Sequence, residues 1–141
     1  IPVVFISIVV GYGTAVQATP VFGWLVEQVL SLDMNPYLLT FVAVNLLAGM
    51  TANGTGGVTL FMENFGATIL GNPAINVGAL HRIAAISGAG FDSLPHNGAI
   101  AFQLSVFKLS YKDGYFQQFM MSVLVNLLAG LLAVLMAVVL F

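Results

Sequence analysis

The sequence predicts an all-α integral membrane fold with a re-entrant hairpin and a broken transmembrane helix. Three observations carry that prediction. Hydrophobic residues make up 60% of the 141, charged residues 6%, and the mean hydropathy is +1.04. A soluble domain carries about 25% charged residues, so three Lys+Arg and five Asp+Glu cannot clothe a fold of 14.9 kDa. That argues against a soluble enzyme and against a disordered chain. The second observation is a C-terminal apolar stretch long enough to cross a bilayer, which takes about 20 residues. The third is a pair of polar, glycine-rich interruptions inside otherwise apolar territory.

The remaining composition narrows the partners. A net charge of −2 with three basic residues excludes nucleic acid. The absence of cysteine excludes disulfides and thiolate metal sites. The chain opens on Ile1 and is apolar at once, with no basic region ahead of it. It therefore makes a poor signal peptide, and a piece of a longer protein is expected.

Residues 1–32 read as one bent span. Ile1 to Val10 is apolar apart from Ser7, Gly11, Gly13 and Pro20 interrupt the run, and Glu27 and Gln28 make its second part half-polar. Residues 36–70 read as the re-entrant hairpin. Its first arm is Tyr37 to Ala52, its tip Asn53-Gly54-Thr55-Gly56-Gly57, and its second arm Val58 to Leu70. Glycine costs a helix about 1 kcal/mol relative to alanine, so this tip is expected to be non-helical. The arms are short for full crossings, which favours a hairpin over two spans joined by an external loop. Gly71-Asn72-Pro73 is a turn.

Residues 77–109 read as a broken helix interrupted from Gly88 to Gly98, neither half being long enough to span alone. Residues 114–141 are the final span, with Asp113 expected to cap its start. Lys108 and Lys112 before that span, against Arg82 on the other side, place their connection in the cytoplasm. The hairpin then enters from outside. Val44-Asn45-Leu46-Leu47-Ala48-Gly49 recurs as Val125-Asn126-Leu127-Leu128-Ala129-Gly130. The flanks do not match, so the recurrence reads as coincidence or a shared small-residue packing face rather than an internal duplication.

Irregular backbone at membrane depth leaves N–H and C=O groups unpaired, and is tolerated only where protein buries it or water fills a cavity. Transporters place binding sites at such breaks, because half-helix ends offer partial charges to a ligand. A plain anchor helix has no use for them.

The second break, Ser87-Gly88-Ala89-Gly90-Phe91-Asp92-Ser93-Leu94-Pro95-His96-Asn97-Gly98-Ala99, resembles the C-terminal signature of the gluconate permease family, Ser-Gly-Gly-x-Asp-Thr-Leu-Pro-His-Asn-Gly-Ala. Val44 to Gly49 followed by Thr51 to Gly57 resembles that family's Asn-Val-Leu-Ala-Gly plus Gly/Ser-rich segment. Glu63-Asn64-Phe65-Gly66 and Leu80-His81-Arg82 follow in the family's order. The resemblance covers roughly residues 35–125. Asn53-Gly54-Thr55-Gly56-Gly57 stands where the family has Ser-Ala-Ser-Gly-Gly. With Asp92 aligned, Gly88 replaces a serine, Ala89 a glycine and Ser93 a threonine.

The resemblance implies a proton-coupled symporter for gluconate or a related hydroxy-carboxylate, multi-pass in the cell inner membrane. It also implies an ion-transporter-superfamily architecture of two inverted repeats, of which this chain holds the second. The implied partners are a small carboxylate, a proton, the lipid bilayer and the N-terminal repeat of the same protein, with a homo-oligomer compatible. No cofactor and no enzymatic activity are implied. The alternatives are a symporter of another small anion with a different coupling ion, or a non-transporting membrane scaffold.

Candidate site residues follow from the two breaks. An aspartate at membrane depth costs about 2.5 to 3.5 kcal/mol, so Asp92 is the first candidate for carrying the coupled proton, with Glu63 second. The rival reading is that Asp92 or Ser93 only caps a half-helix. Asn53, Gly54, Thr55, Gly56, Ser93, His96 and Asn97 offer donors suited to a carboxylate and hydroxyls, and a helix N-terminus suits the carboxylate. The plainer reading is that these side chains satisfy the backbone that they interrupt. Glu63 is expected to pair with Arg82, which would offset the cost of burying both. Asp92 and His96 have no further ligands beside them, so no metal is expected.

Overall fold

Among the residues that the computed structural model describes, 14–31 and 34–141 with Val4, Ser7 and Gly11, every regular element is helical. Most of the first half of the expected 1–32 span lies outside the described residues. Helix α1, Pro20–Leu30, begins where a bend was expected. Proline at the first helical position lacks an N–H that would be unpaired anyway, so Pro20 starts this helix. Phe22, Val26 and Val29 form its buried face.

Helices α2 (Pro36–Thr51) and α3 (Gly54–Leu70) form a helical hairpin and pack on one another more extensively than any other described pair. Pro36 again occupies the first helical position, and Asn35 Oδ1 accepts the Tyr37 N–H at 2.9 Å. At about 1.5 Å per residue the arms of 16 and 17 residues are about 24 and 26 Å long. Both are shorter than the roughly 30 Å hydrocarbon core. The pair encloses Ala43, Val44, Leu47, Phe61 and Phe65, each at most 1% exposed.

The tip differs from the expectation. Only Ala52 and Asn53 stand outside helix, and Gly54 to Gly57 form the first turn of α3. Reversal comes from Ala52 in the left-handed region, φ 49° and ψ 35°, followed by extended Asn53. None of the described glycines has positive φ. The tip glycines serve close approach instead. A Cβ on Gly57 would stand 2.5 Å from Ala48 N and 2.7 Å from its Cα, so α3 leans directly on the backbone of α2. Ala52 does the work usually given to glycine, at a cost of about 1–2 kcal/mol for a Cβ in left-handed geometry. Ala52→Gly is expected to stabilise the hairpin by about 1 kcal/mol. An unchanged or lowered thermal midpoint in detergent would count against this account of the turn.

Residues 77–106 are helical on both sides of an interruption. Helix α4 spans Val77–Gly88, a single 3₁₀ turn covers Phe91–Ser93, and α5 spans Gly98–Val106. Asn76 caps α4, accepting from Ala79 N at 3.0 Å, and its own N–H is held by the Tyr37 hydroxyl at 2.9 Å. That bond fixes the start of the broken helix to the start of the hairpin. Helix α6, Tyr111–Leu140, is the one described helix long and apolar enough to cross a membrane. It opens three residues before the expected start. Its cap is Ser110, whose hydroxyl accepts the Asp113 N–H at 3.3 Å and donates to the Asp113 carboxylate. Asp113 therefore lies in the first turn and is not the cap. Phe119–Leu124 is wound as a π-helix inside α6. Beyond it Gly130, Val134 and Ala137 face α2 and α4, while Leu128, Leu132, Leu135 and Val139 are exposed.

Glu63 and Arg82 do not pair. Glu63 is exposed on α3, and the Arg82 guanidinium donates to the Gly78 carbonyl on its own helix at 3.1 Å. An exposed carboxylate needs no buried counter-charge, so the reason for expecting the pair disappears.

Candidate functional site

The hairpin tip and the break of the second helix meet. Their contact is backbone on backbone at Gly54 and Gly88. A Cβ on Gly54 would overlap the Gly88 carbonyl, and one on Gly88 would stand 3.2 Å from Gly54 O and 3.0 Å from Val58 Cγ2. Beside this contact lies a cavity of about 390 Å³, lined by Gly54, Thr55 and Val58 of α3, Ala85 and Gly88 of α4, and Ala89 and Asp92 of the break.

Three polar elements reach this cavity. The first is the start of α3. Asn53 Oδ1 takes the Gly56 N–H at 3.2 Å and Asn53 O takes the Gly57 N–H at 2.9 Å. The N–H groups of Gly54 and Thr55 precede these and have no carbonyl one turn back within the helix. The second is the hydroxyl-bearing side chain of Thr55, which is exposed. The third is the Asp92 carboxyl. Its Oδ1 accepts from Ser93 Oγ at 2.8 Å, and its Oδ2 points at Gly54, 3.1 Å from where a Cβ would stand there. Asp92 is the one ionisable side chain among the residues lining the cavity. The arrangement sets an aspartate against the positive end of a 17-residue helix, with Thr55 and apolar residues completing the lining.

The other expected donors build the wall and do not line the cavity. His96 Nε2 lies 2.6 Å from Gly49 O, which can only accept, so the ring donates there. Asn97 Nδ2 donates to Ala52 O at 3.0 Å and also to Asp92 O, while its Oδ1 accepts the Ala99 N–H and caps α5. Gly49 and Ala52 lie in the last turn and at the C-cap of α2, where carbonyls lack helical partners. The break thus supplies the C-terminal cap of a helix more than 40 residues earlier. Ser93 is spent on Asp92, and Asn53 and Gly56 on each other. From α6, the Tyr115 hydroxyl holds Ser93 O at 3.2 Å and the Tyr111 hydroxyl holds Pro95 O at 3.0 Å.

Glu63 lies nine residues along α3 from Gly54, about 13 Å at the helical rise, and does not reach the cavity. Val58 and Ala85 line the cavity without any sequence signal, because apolar residues at helical spacing fill this chain. Asn45 and Ser87 are buried beside the break, and Asn45 Oδ1 and Ser87 Oγ lack hydrogen-bond partners. Polar residues in so apolar a chain are the signal that marks them. Among the described residues no three His, Asp or Glu side chains gather as a metal site would need.

An all-helical fold with a hairpin tip against a break in a second helix and one long apolar helix is consistent with a membrane transporter. The sequence comparison agrees at that level. Over 108 residues the chain is 29% identical to the uncharacterized transporter YxjC of Bacillus subtilis (strain 168), covering 74% of this chain and 23% of the relative. The chain thus spans about a quarter of the length of that curated relative. No family model and no solved structure matches. The likeness to a transporter and the apolar α6 together point to a membrane location.

Proposed function

We propose that this chain is the second repeat of a proton-coupled symporter that carries gluconate or a related small hydroxy-carboxylate across the cell inner membrane. The observation that carries this reading is the cavity at the meeting of the two breaks. A substrate carboxylate sits at the start of α3, where the Gly54 and Thr55 N–H groups and the helix dipole favour a negative charge. The Thr55 hydroxyl and the Asp92 carboxyl take the substrate hydroxyls, and Asp92 carries the coupled proton. Val58, Ala85, Gly88 and Ala89 supply the apolar part of the lining. A volume of about 390 Å³ lies within the usual range for small-molecule sites, about 300–1,000 Å³.

In the same reading residues 36–70 enter the bilayer as a re-entrant hairpin, 77–109 span it as a broken helix, and 114–141 form a further span of a multi-pass protein. The inverted first repeat lies elsewhere in the full protein and closes the other side of the site. A scaffold has no use for a polar cavity between two helix breaks.

The test is uptake of labelled hydroxy-carboxylates by the full-length protein in vesicles, with an inward proton gradient, a sodium gradient, or neither. Gluconate or a close relative is expected to accumulate only with the proton gradient. Accumulation driven by sodium alone would overturn proton coupling, and no uptake of any hydroxy-carboxylate would overturn the substrate class.

A further inference from the structure

The repeated string of the sequence has a structural counterpart. Val44 to Gly49 lies on α2 and Val125 to Gly130 on α6, and both face the same short stretch of chain at the end of α4. Asn45 is 3% exposed. Its Nδ2 bonds Phe41 O one turn back at 2.9 Å, and its Oδ1 presses on Gly90 so closely that a Cβ there would overlap it. Asn126 repeats this from the other side. Its Nδ2 bonds Ser122 O one turn back and also reaches Ala89 O at 3.3 Å. Four residues on, each string presents its glycine. A Cβ on Gly49 would stand 3.0 Å from Phe91 Cβ, and one on Gly130 would stand 2.6 Å from the Phe41 ring and 3.5 Å from Ile86 Cγ2.

We infer that the two strings form a clamp, in which Asn45 and Asn126 are positioning residues that fix the Ala89–Gly90 corner from opposite sides. Through that corner they set where Ala89 and Asp92 stand in the cavity wall. The inference rests on reading that cavity as the substrate site. Stability alone does not explain Asn45. Its buried Oδ1 has no hydrogen-bond partner, which costs about 1–3 kcal/mol, and a leucine would leave no such atom. The amide is explained by what its oxygen touches. Only glycine fits against it at position 90, and the chain turns there out of α4 into the 3₁₀ segment that holds Asp92.

The test uses the full-length protein, with thermal midpoint in detergent and labelled gluconate uptake as separate readouts. Gly90→Ala is expected to lower the midpoint and raise the uptake KM about tenfold, the equivalent of 1.4 kcal/mol. Adding Asn45→Ala removes the overlapping oxygen and is expected to restore both. Asn126→Ala is expected to raise KM with little change in maximal rate or thermal midpoint, which a merely structural residue would not do. A double variant no better than Gly90→Ala alone overturns the clamp, as does an Asn126→Ala that shifts the midpoint and leaves KM alone. A wild type that takes up no hydroxy-carboxylate overturns the substrate reading. The positioning role falls with it, and thermal rescue then shows only the contact between Asn45 and position 90.

Discussion

Asp92→Asn is expected to abolish proton-driven accumulation of substrate while leaving exchange of substrate across the membrane. The substitution keeps an oxygen where Oδ1 accepts from Ser93 Oγ, so the 3₁₀ turn retains its local bond. It removes the one group lining the cavity that can take up and release a proton. His96 and Tyr115 lie outside the cavity lining, His96 donating to Gly49 O and the Tyr115 hydroxyl to Ser93 O. Each pH unit across the membrane supplies about 1.4 kcal/mol per proton, or about tenfold accumulation. Vesicles with Asp92→Asn are expected to equilibrate substrate and go no further at any imposed gradient. Counterflow with preloaded substrate checks that the site still binds. Retained uphill transport with normal pH dependence assigns Asp92 a structural role.

Gly57→Val is expected to cost about 3 kcal/mol or more, the upper end for overpacking a close-packed interior, and to remove most of the folded protein from the membrane. At Gly57 even the first added carbon meets backbone, with Ala48 N, Cα and Cβ all within 2.8 Å. Backbone cannot rotate away as a side chain tip can. The arms of the hairpin would have to separate, opening the cluster of Leu47, Phe61 and Phe65. Gly23→Ala is the control. A Cβ there meets nothing within 4 Å, and the change in helix propensity alone is stabilising by about 1 kcal/mol. A destabilisation of similar size in both variants would show that a cause common to any glycine replacement, and not the contact with Ala48, sets the result at Gly57.

Much of this arrangement is legible from residue pattern, because polar residues are scarce here and each one marks a place. The two breaks, the arms of the hairpin and the prominence of Asp92, Thr55 and Gly54 all follow from that scarcity. Glycine was harder to read. Gly54 to Gly57 suggest a loop by propensity, yet they lie in helix, because what they supply is room for Ala48 and Gly88 to come close. Propensity is local, and that room is a property of two segments at once. For the same reason His96 and Asn97 read as ligand donors until their partners are known. Gly49 O and Ala52 O lie far away in sequence and carry no mark, since every residue has a carbonyl. The Glu63–Arg82 pair fails because both charges were expected in the interior, and Glu63 faces outward.

The bonds from His96 and Asn97 to the end of α2 also order events in time. A ribosome adds roughly 5–20 residues per second, so the 45 to 47 residues between the end of α2 and the residues that cap it take about 2–9 s. Until they arrive, the carbonyls of Gly49 and Ala52 have no protein partner there and must stay with water. In the re-entrant reading, the hairpin reaches its final depth only after the broken helix has been made. The segment made later then caps the one made earlier.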